Sequence, residues 1–181
     1  MTTNTNTQIV YLRGKTSFCR VLGEPHLNYA KDGREWTMDL KLDDNAVKEV
    51  KGYGLGAKIK TKETYLDGTP YMSFRIKEFL PDGKPAYPCK VQDANGNDWD
   101  QTVEIGNDSV VDVKFAVRDY GRGKPKGVYL RAVRVLDLVE YKGKGSGEFP
   151  KLDKSDEFYG ASSKAPDFNK DFGLDDEDIG L

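Results

Sequence analysis

Lys58, Lys60 and Lys62 recur at every second position, and further along Tyr71, Arg75 and Lys77 keep the same two-residue phase. Side chains two apart in an extended strand share a face. If these segments are the arms of a hairpin whose Met72, Phe74 and Ile76 face inward, the outer face carries a comb of lysines beside a tyrosine and an arginine. That set can hold a single-stranded nucleic acid without reading its sequence. Cations follow the phosphates, and an aromatic face accepts any base at about 1–3 kcal/mol per stacked base. A second basic-aromatic stretch adds Lys114, Arg118, Tyr120, Arg122, Lys124 and Lys126, while Tyr65 and Trp99 are further stacking candidates. The same lysines also suit a plainer purpose, guarding an exposed strand edge against pairing with other chains.

The segments that would position these side chains read mostly as strands. IVYLRGKTSFCRVL, residues 9–22, reads as one strand with Gly14 as a break, and the turn-rich loop 23–33 follows. REWTMDLKL alternates cleanly, with Trp36, Met38, Leu40 and Leu42 on the apolar face. Asp43 or Asp44 can then cap a short helix in DDNAVKEVKG, with Ala46, Val47 and Val50 inward and Gly52 closing it. AKIKTKETYL and TPYMSFRIKEF are joined by Leu66-Asp67-Gly68-Thr69, a strong hairpin signal, and Asn95-Gly96 marks another small turn. SVVDVKFAVRDY places Val111, Val113, Phe115 and Val117 on one face and Lys114, Arg118 and Tyr120 on the other. The basic loop GRGKPKG leads into GVYLRAVRVLDLVEY, whose alternation slips near Val135-Leu136 and predicts a bulge. The fold class expected is mostly β: a five-stranded Greek-key OB-fold barrel with one short helix. A β-sandwich is the competing architecture.

The length of 181 residues suits one domain with appendages. Residues 1–8 are expected to be disordered, 9–142 to form the nucleic-acid-binding barrel, 143–170 to be a flexible linker and 171–181 to be an acidic tip. Residues 1–142 hold 23 basic against 20 acidic side chains, and residues 143–181 hold 5 against 10, so the net charge of −2 hides a mildly basic body. In the tip, Asp171, Asp175, Asp176, Glu177 and Asp178 are punctuated by Phe172, Leu174, Ile179 and Leu181. Such a segment can compete with a nucleic acid for the body's cationic groove and can dock on basic pockets of other proteins; its plainer use is solubility.

Other signals are weak. Cys19 and Cys89 have no metal-ligand spacing and read as reduced thiols, and the lone His26 has no second ligand, so no metal is expected. Asp93, Asn95, Asn97 and Glu104 match part of a calcium-loop template, but Asp98 stands where glycine is required, and an Asn-Gly turn is the simpler reading. GRGKPKG lacks the spacing of a phosphate loop before a helix, and GYGLG follows a helix where a dinucleotide site would open one. No apolar run approaches the ~18 residues of a membrane span, and MTTNTNTQ has no signal-peptide core. No catalytic set and no cofactor is expected, so the chain reads as a non-enzyme. A structural or assembly module, with the tip as docking peptide, is the rival class.

IGNDSVVDVKFAVRDYGRGKPKGVYLRAVRVLDLVEY, residues 105–141, resembles the last two barrel strands of the T7-type bacteriophage single-stranded DNA-binding proteins. The shared order is a turn with Gly and Ser, a Val-x-Val-x-Phe strand, a basic loop, and a Gly-Val-led strand ending Leu-Val-Glu. The loop before REWTMDLKL, the helix after it and the acidic tip occupy similar places. The resemblance implies an OB-fold protein that coats single-stranded DNA in phage replication, recombination and repair, in the cytoplasm of an infected bacterium. It also implies contacts of the tail with replicative DNA polymerase and helicase-primase, and a tendency to form homodimers. The chain departs from the family in ending Ile-Gly-Leu rather than on an aromatic.

Overall fold

The computed structural model describes residues 6–121 and 123–141. The chain divides into two units, Met1–Lys142 and Gly143–Leu181. The expectations for the linker 143–170 and the tip 171–181, and for Arg122, lie outside the described residues.

Seven strands and one helix follow in the order β1 (Asn6–Arg20), β2 (His26–Leu27), β3 (Arg34–Lys41), α1 (Asp44–Gly52), β4 (Tyr71–Lys77), β5 (Lys90–Gln92), β6 (Val110–Asp119) and β7 (Gly127–Asp137). They form one sheet in the order β2-β3-β1-β6-β7-β5, with β4 beside β3. All ladders are antiparallel except the short β5–β7 pairing. The sheet curls into a half-barrel. β7 comes back into contact with β4, yet no ladder joins them among the described residues. One curled sheet, not two facing sheets, rules out the sandwich.

The core follows from alternation. Val10 and Leu12 of β1, Met38 and Leu40 of β3, Met72 and Phe74 of β4, and Val111, Val113, Phe115 and Val117 of β6 are all buried in one cluster. Phe115 is at its centre, with its ring centroid 5.2 Å from that of Phe74. Trp36 is buried as its strand phase predicts, and its Nε1–H donates to the Gly23 carbonyl at 3.0 Å. Of the two expected caps, Asp43 starts helix α1: its carboxylate accepts the Ala46 N–H at 2.8 Å, and Asp44 falls in the first turn. Ala46 and Val50 are its buried residues. Burial pushes the Cys19 thiol up to about 11 and the Cys89 thiol to about 12, so both are poor nucleophiles.

Three local expectations need correction, and a fourth is borne out and extended. First, Gly14 does not break β1. A Cβ there would lie 2.5 Å from the Lys41 carbonyl oxygen, so glycine lets β3 pass close while the strand runs on. The irregularity comes later, where the β1–β3 register shifts between Ser17 and Arg20. Second, β1 already starts at Asn6, which pairs with Asp119, so it takes in part of the segment 1–8 read as disordered. Third, residues 57–66 form no strand: a 3-10 turn at Gly56–Lys58 is followed by isolated bridges Lys60–Tyr71 and Lys62–Tyr65. Asp67-Gly68 closes a second 3-10 turn rather than a two-residue hairpin loop. Fourth, β7 carries two bulges. The predicted one falls at Leu136, between the pairs Val110–Asp137 and Val111–Val135, and another falls at Arg131.

Replacing Gly14 with alanine should therefore force β1 and β3 apart. An overpacked site of this kind costs about 1–3 kcal/mol. Urea unfolding of Gly14→Ala should show a lower midpoint; an unchanged midpoint would mean that the two strands separate freely here.

Candidate nucleic-acid interface

The outer faces of β3 and β4 form the floor of a groove. Their register places Thr37 opposite Arg75 and Asp39 opposite Ser73, and all four line a hollow of about 630 Å³. One wall is the segment Lys60–Tyr65, and the other is β2 with Asn28 and Tyr29 beyond it, beside Phe18 and Arg20 of β1. Three aromatic rings climb out of this floor. Tyr71 lies lowest and is 8% exposed. Tyr65 meets it edge-on at 5.0 Å, and Phe18 stacks on Tyr65 at 5.5 Å with 18° between the planes. The Tyr65 hydroxyl donates to Asp39 Oδ2 at 2.5 Å. Burial, then the Asp39 hydrogen bond, raises the Tyr65 pKa, so the phenol stays a neutral donor.

Phe18 is the residue that sequence reading missed. Simple alternation from Val10, Leu12 and Thr16 sends position 18 into the core. The bulge between Ser17 and Arg20 turns it outward instead, leaving it 48% exposed at φ 48°. Its backbone N–H donates to Asn107 Oδ1 at 2.8 Å, which holds this left-handed conformation. A bulky residue held there stores about 1–3 kcal/mol of strain and commonly marks a working site.

Cations flank the rings. Arg20, Lys60, Lys62 and Arg75 line the groove. Lys60 Nζ donates to Ser73 Oγ at 3.1 Å and lies 6.0 Å from the Tyr71 ring centre. Two carboxylates share the groove, but Asp39 is taken by Tyr65, and buried Glu35 faces Arg75 at 3.9 Å. His26 accepts or donates across 3.2 Å to Thr37 Oγ1. Burial first, then the Arg20 charge, lowers its pKa, so it is neutral at pH 7.

The predicted set does not converge as one comb. Lys58 sits in the 3-10 turn and, with Lys124 and Lys126, lines a separate hollow of about 440 Å³ beside the β6–β7 loop. Lys126 is partly committed there, donating to the Tyr53 carbonyl at 3.0 Å and pairing with Asp119 at 3.6 Å. Tyr71 is on the predicted face but is sealed beneath Tyr65 and Lys60, so Tyr65 and Phe18 present the accessible rings. Lys77 is exposed at the end of β4 and lines a third hollow. Lys114 and Arg118 lie on the outer face of β6, over the rings of Tyr11 at 5.6 Å and Tyr129 at 5.4 Å, and do not line the groove. Tyr120 bonds the Tyr129 hydroxyl. Trp99 packs on the core, its Nε1–H donating to the Val103 carbonyl at 2.9 Å, and lines none of these hollows. Asp93 holds its own turn by accepting the N–H groups of Asn95 and Asn97. Among the described residues no cluster of three His, Cys, Asp or Glu could hold a metal ion, and no helix is long and apolar enough to cross a membrane.

No family model matches the chain, and no curated protein matches it. Solved structures do share its fold. The single-stranded DNA-binding protein of bacteriophage Enc34, in complex with single-stranded DNA, superposes with a TM-score of 0.51 at 12% identity, over 79% of this chain and 96% of that one. A C-terminal truncation of the same protein gives 0.50 at 11%, over 73% and 87%. The gp2.5 single-stranded DNA-binding protein of bacteriophage T7 gives 0.46 at 17%, over 87% of this chain and 100% of that one. The curled, mostly β half-barrel with one helix is thus the fold of the Enc34 protein.

Not every cation on the surface is available. Asp112, whose side chain is 14% exposed, takes Arg13 at 2.7 Å and Arg134 at 2.6 Å. The Arg13 hydrogen bond, opposed by burial and joined by that of Arg134, holds the Asp112 carboxyl below its ordinary range. A depressed carboxyl contributes stability that is full above the unfolded value of about 3.9 and is lost as pH falls through the folded value. Asp112→Asn should therefore cost about 1 kcal/mol at neutral pH, solvent screening of the exposed arginines included. Urea unfolding should show that gap narrowing as the pH drops below about 4. A gap independent of pH would mean that the pairs contribute packing rather than charge.

Proposed function

We propose that the chain is an OB-fold protein that binds single-stranded DNA without base preference. The observation that carries this reading is the Phe18–Tyr65–Tyr71 ladder of rings standing among Arg20, Lys60, Lys62 and Arg75. The strand order supports the fold name. The five long strands run β1-β3-β4 on one side and β1-β6-β7 on the other, with β7 returning to β4. The groove then lies on the face of the second and third long strands, beside the first connection, which is where barrels of this kind take oligonucleotides. The Enc34 protein, which shares the fold, is a single-stranded DNA-binding protein, and the reading agrees with that.

The finer reading is a coating protein of phage replication, recombination and repair, acting in the cytoplasm of an infected bacterium and self-associating as a homodimer. The acidic-apolar composition of residues 171–181 supports two tasks for the tail. One is docking on basic pockets of replicative polymerase and helicase-primase. The other is competition with DNA for the groove.

Fluorescence titration with oligonucleotides tests the core of this reading. Single strands should bind far more tightly than duplex, with affinity falling with salt at a log–log slope of about 0.7 per neutralised phosphate. Phe18→Ala and Tyr65→Ala should each weaken binding by about 1–3 kcal/mol, and Lys62→Ala should instead lower the salt slope. Equal affinity for duplex, or no binding at low salt, would sink the proposal and favour a structural module. Removing residues 171–181 should tighten binding at low salt and progressively less at high salt, since screening weakens both competitors. Identical low-salt affinities would reject the competition.

A further inference from the structure

Where the sheet fails to close, a hollow of about 740 Å³ opens between β4 and β7. It shares Arg75 with the β3–β4 groove. Arg75, Lys77, Lys84 and Arg131 line it, and no carboxylate does. Lys77 and Arg131 have no ion-pair partner among the described residues. Between these cations stand apolar faces that water covers: Phe79 is 56% exposed, Tyr87 82% and Tyr129 39%. Arg131 owes its place to the second bulge of β7, which leaves both it and Tyr129 on the outer surface.

We infer that this hollow is a second stretch of the nucleic-acid track, taking the nucleotides that leave the β3–β4 groove across Arg75. The inference rests on the single-strand reading above and extends it. Arg75 belongs to both hollows, so a backbone following the cations of the first meets those of the second without a gap. Lys77 stands two residues further along β4, on the same outward face. Arg75 and Lys84 already face Glu35 and Asp82, but a neutral apolar peptide would leave Lys77 and Arg131 without counter-charge, whereas a phosphate backbone supplies it. Phe79 and Tyr87 then offer stacking faces in place of the Phe18–Tyr65 ladder. Pro81, Pro85 and Pro88 in the same connection restrict its backbone, so these rings are partly ordered before a ligand arrives.

Oligonucleotide length separates the two stretches. Wild type and the double variant Phe79→Ala/Tyr87→Ala are titrated with oligo-dT of about 5 and about 16 nucleotides, the span of site sizes for one such barrel. Both rings are exposed, so the melting temperature should not move. The long oligonucleotide should bind the variant about tenfold more weakly or worse, while the short one, held by the first groove, binds as to wild type. Lys84→Ala/Arg131→Ala should lower the salt slope by about 1.4 for the long oligonucleotide alone. Unchanged affinity at both lengths would overturn the inference and leave the first groove intact. Failure of wild type to bind either length would instead remove the single-strand reading itself, and this one with it. A change in sedimentation with DNA affinity unaltered would assign the hollow to a second copy of the chain, and so also overturn it.

Discussion

Strand β1 is divided between two partners, and the rest of the fold depends on that division. Residues 6–15 pair with β6, whereas the ladder to β3 begins at Lys15 and ends at Arg20. The two halves of the sheet are thus staggered along one strand. A staggered, twisted sheet rolls up rather than lying flat. Gly14 sits where the handover occurs, with the Lys41 carbonyl against it. The bulge just beyond follows from the same demand, because β1 must bend sharply to keep its bonds to β3. That bend brings Phe18 out of the core and over Tyr65, so the geometry of the groove begins in the hydrogen-bonding of one strand.

Pairing, more than composition, decides which cations of this surface are left without a counter-charge. The whole chain carries a net charge of −2, which predicts no attraction. Yet Arg13 and Arg134 are held by Asp112, Arg34 by Glu78 and Lys41 by Asp108, so these cations offer little to a ligand. The groove's own lysines have no such partners among the described residues, and its two carboxylates are occupied locally. The open seam between β4 and β7 sharpens the contrast. An unpaired strand edge invites association with other chains, and cations are a common guard against it. Lys77 and Arg131 stand at that seam, where such a guard is needed.

Much of the fold was legible in the sequence because it rests on alternation and capping. The inward sets of β3, β4 and β6, the helix with its Asp43 cap, and the bulge at Leu136 all follow from local pattern. What failed depended on long-range geometry. The lysines at 58, 60 and 62 keep a strand's spacing, but the chain there has only single bridges to hold it, so period alone misled. Phe18 was invisible because its exposure comes from a register shift against β3, which no local signal announces. Tyr71 was placed on the correct face, yet its burial depends on Tyr65, which arrives from a turn rather than from a strand.

The ring ladder also accounts for one of the groove's two carboxylates, Asp39, while Glu35 faces Arg75. Tyr71 is packed beneath, Tyr65 is pinned through its hydroxyl to Asp39, and Phe18 is fixed by a bulge and by Asn107. The rings are therefore set without a ligand, and little side-chain freedom remains in them to be lost. Asp39 is committed to this arrangement. Its charge orients a phenol, and that phenol, with its pKa raised, does not ionise to add a second negative charge. Strain at Phe18, about 1–3 kcal/mol, opposes this order in the free protein. The Asn107 hydrogen bond and the stack on Tyr65 hold Phe18 against that strain, so the ladder keeps its shape without a ligand.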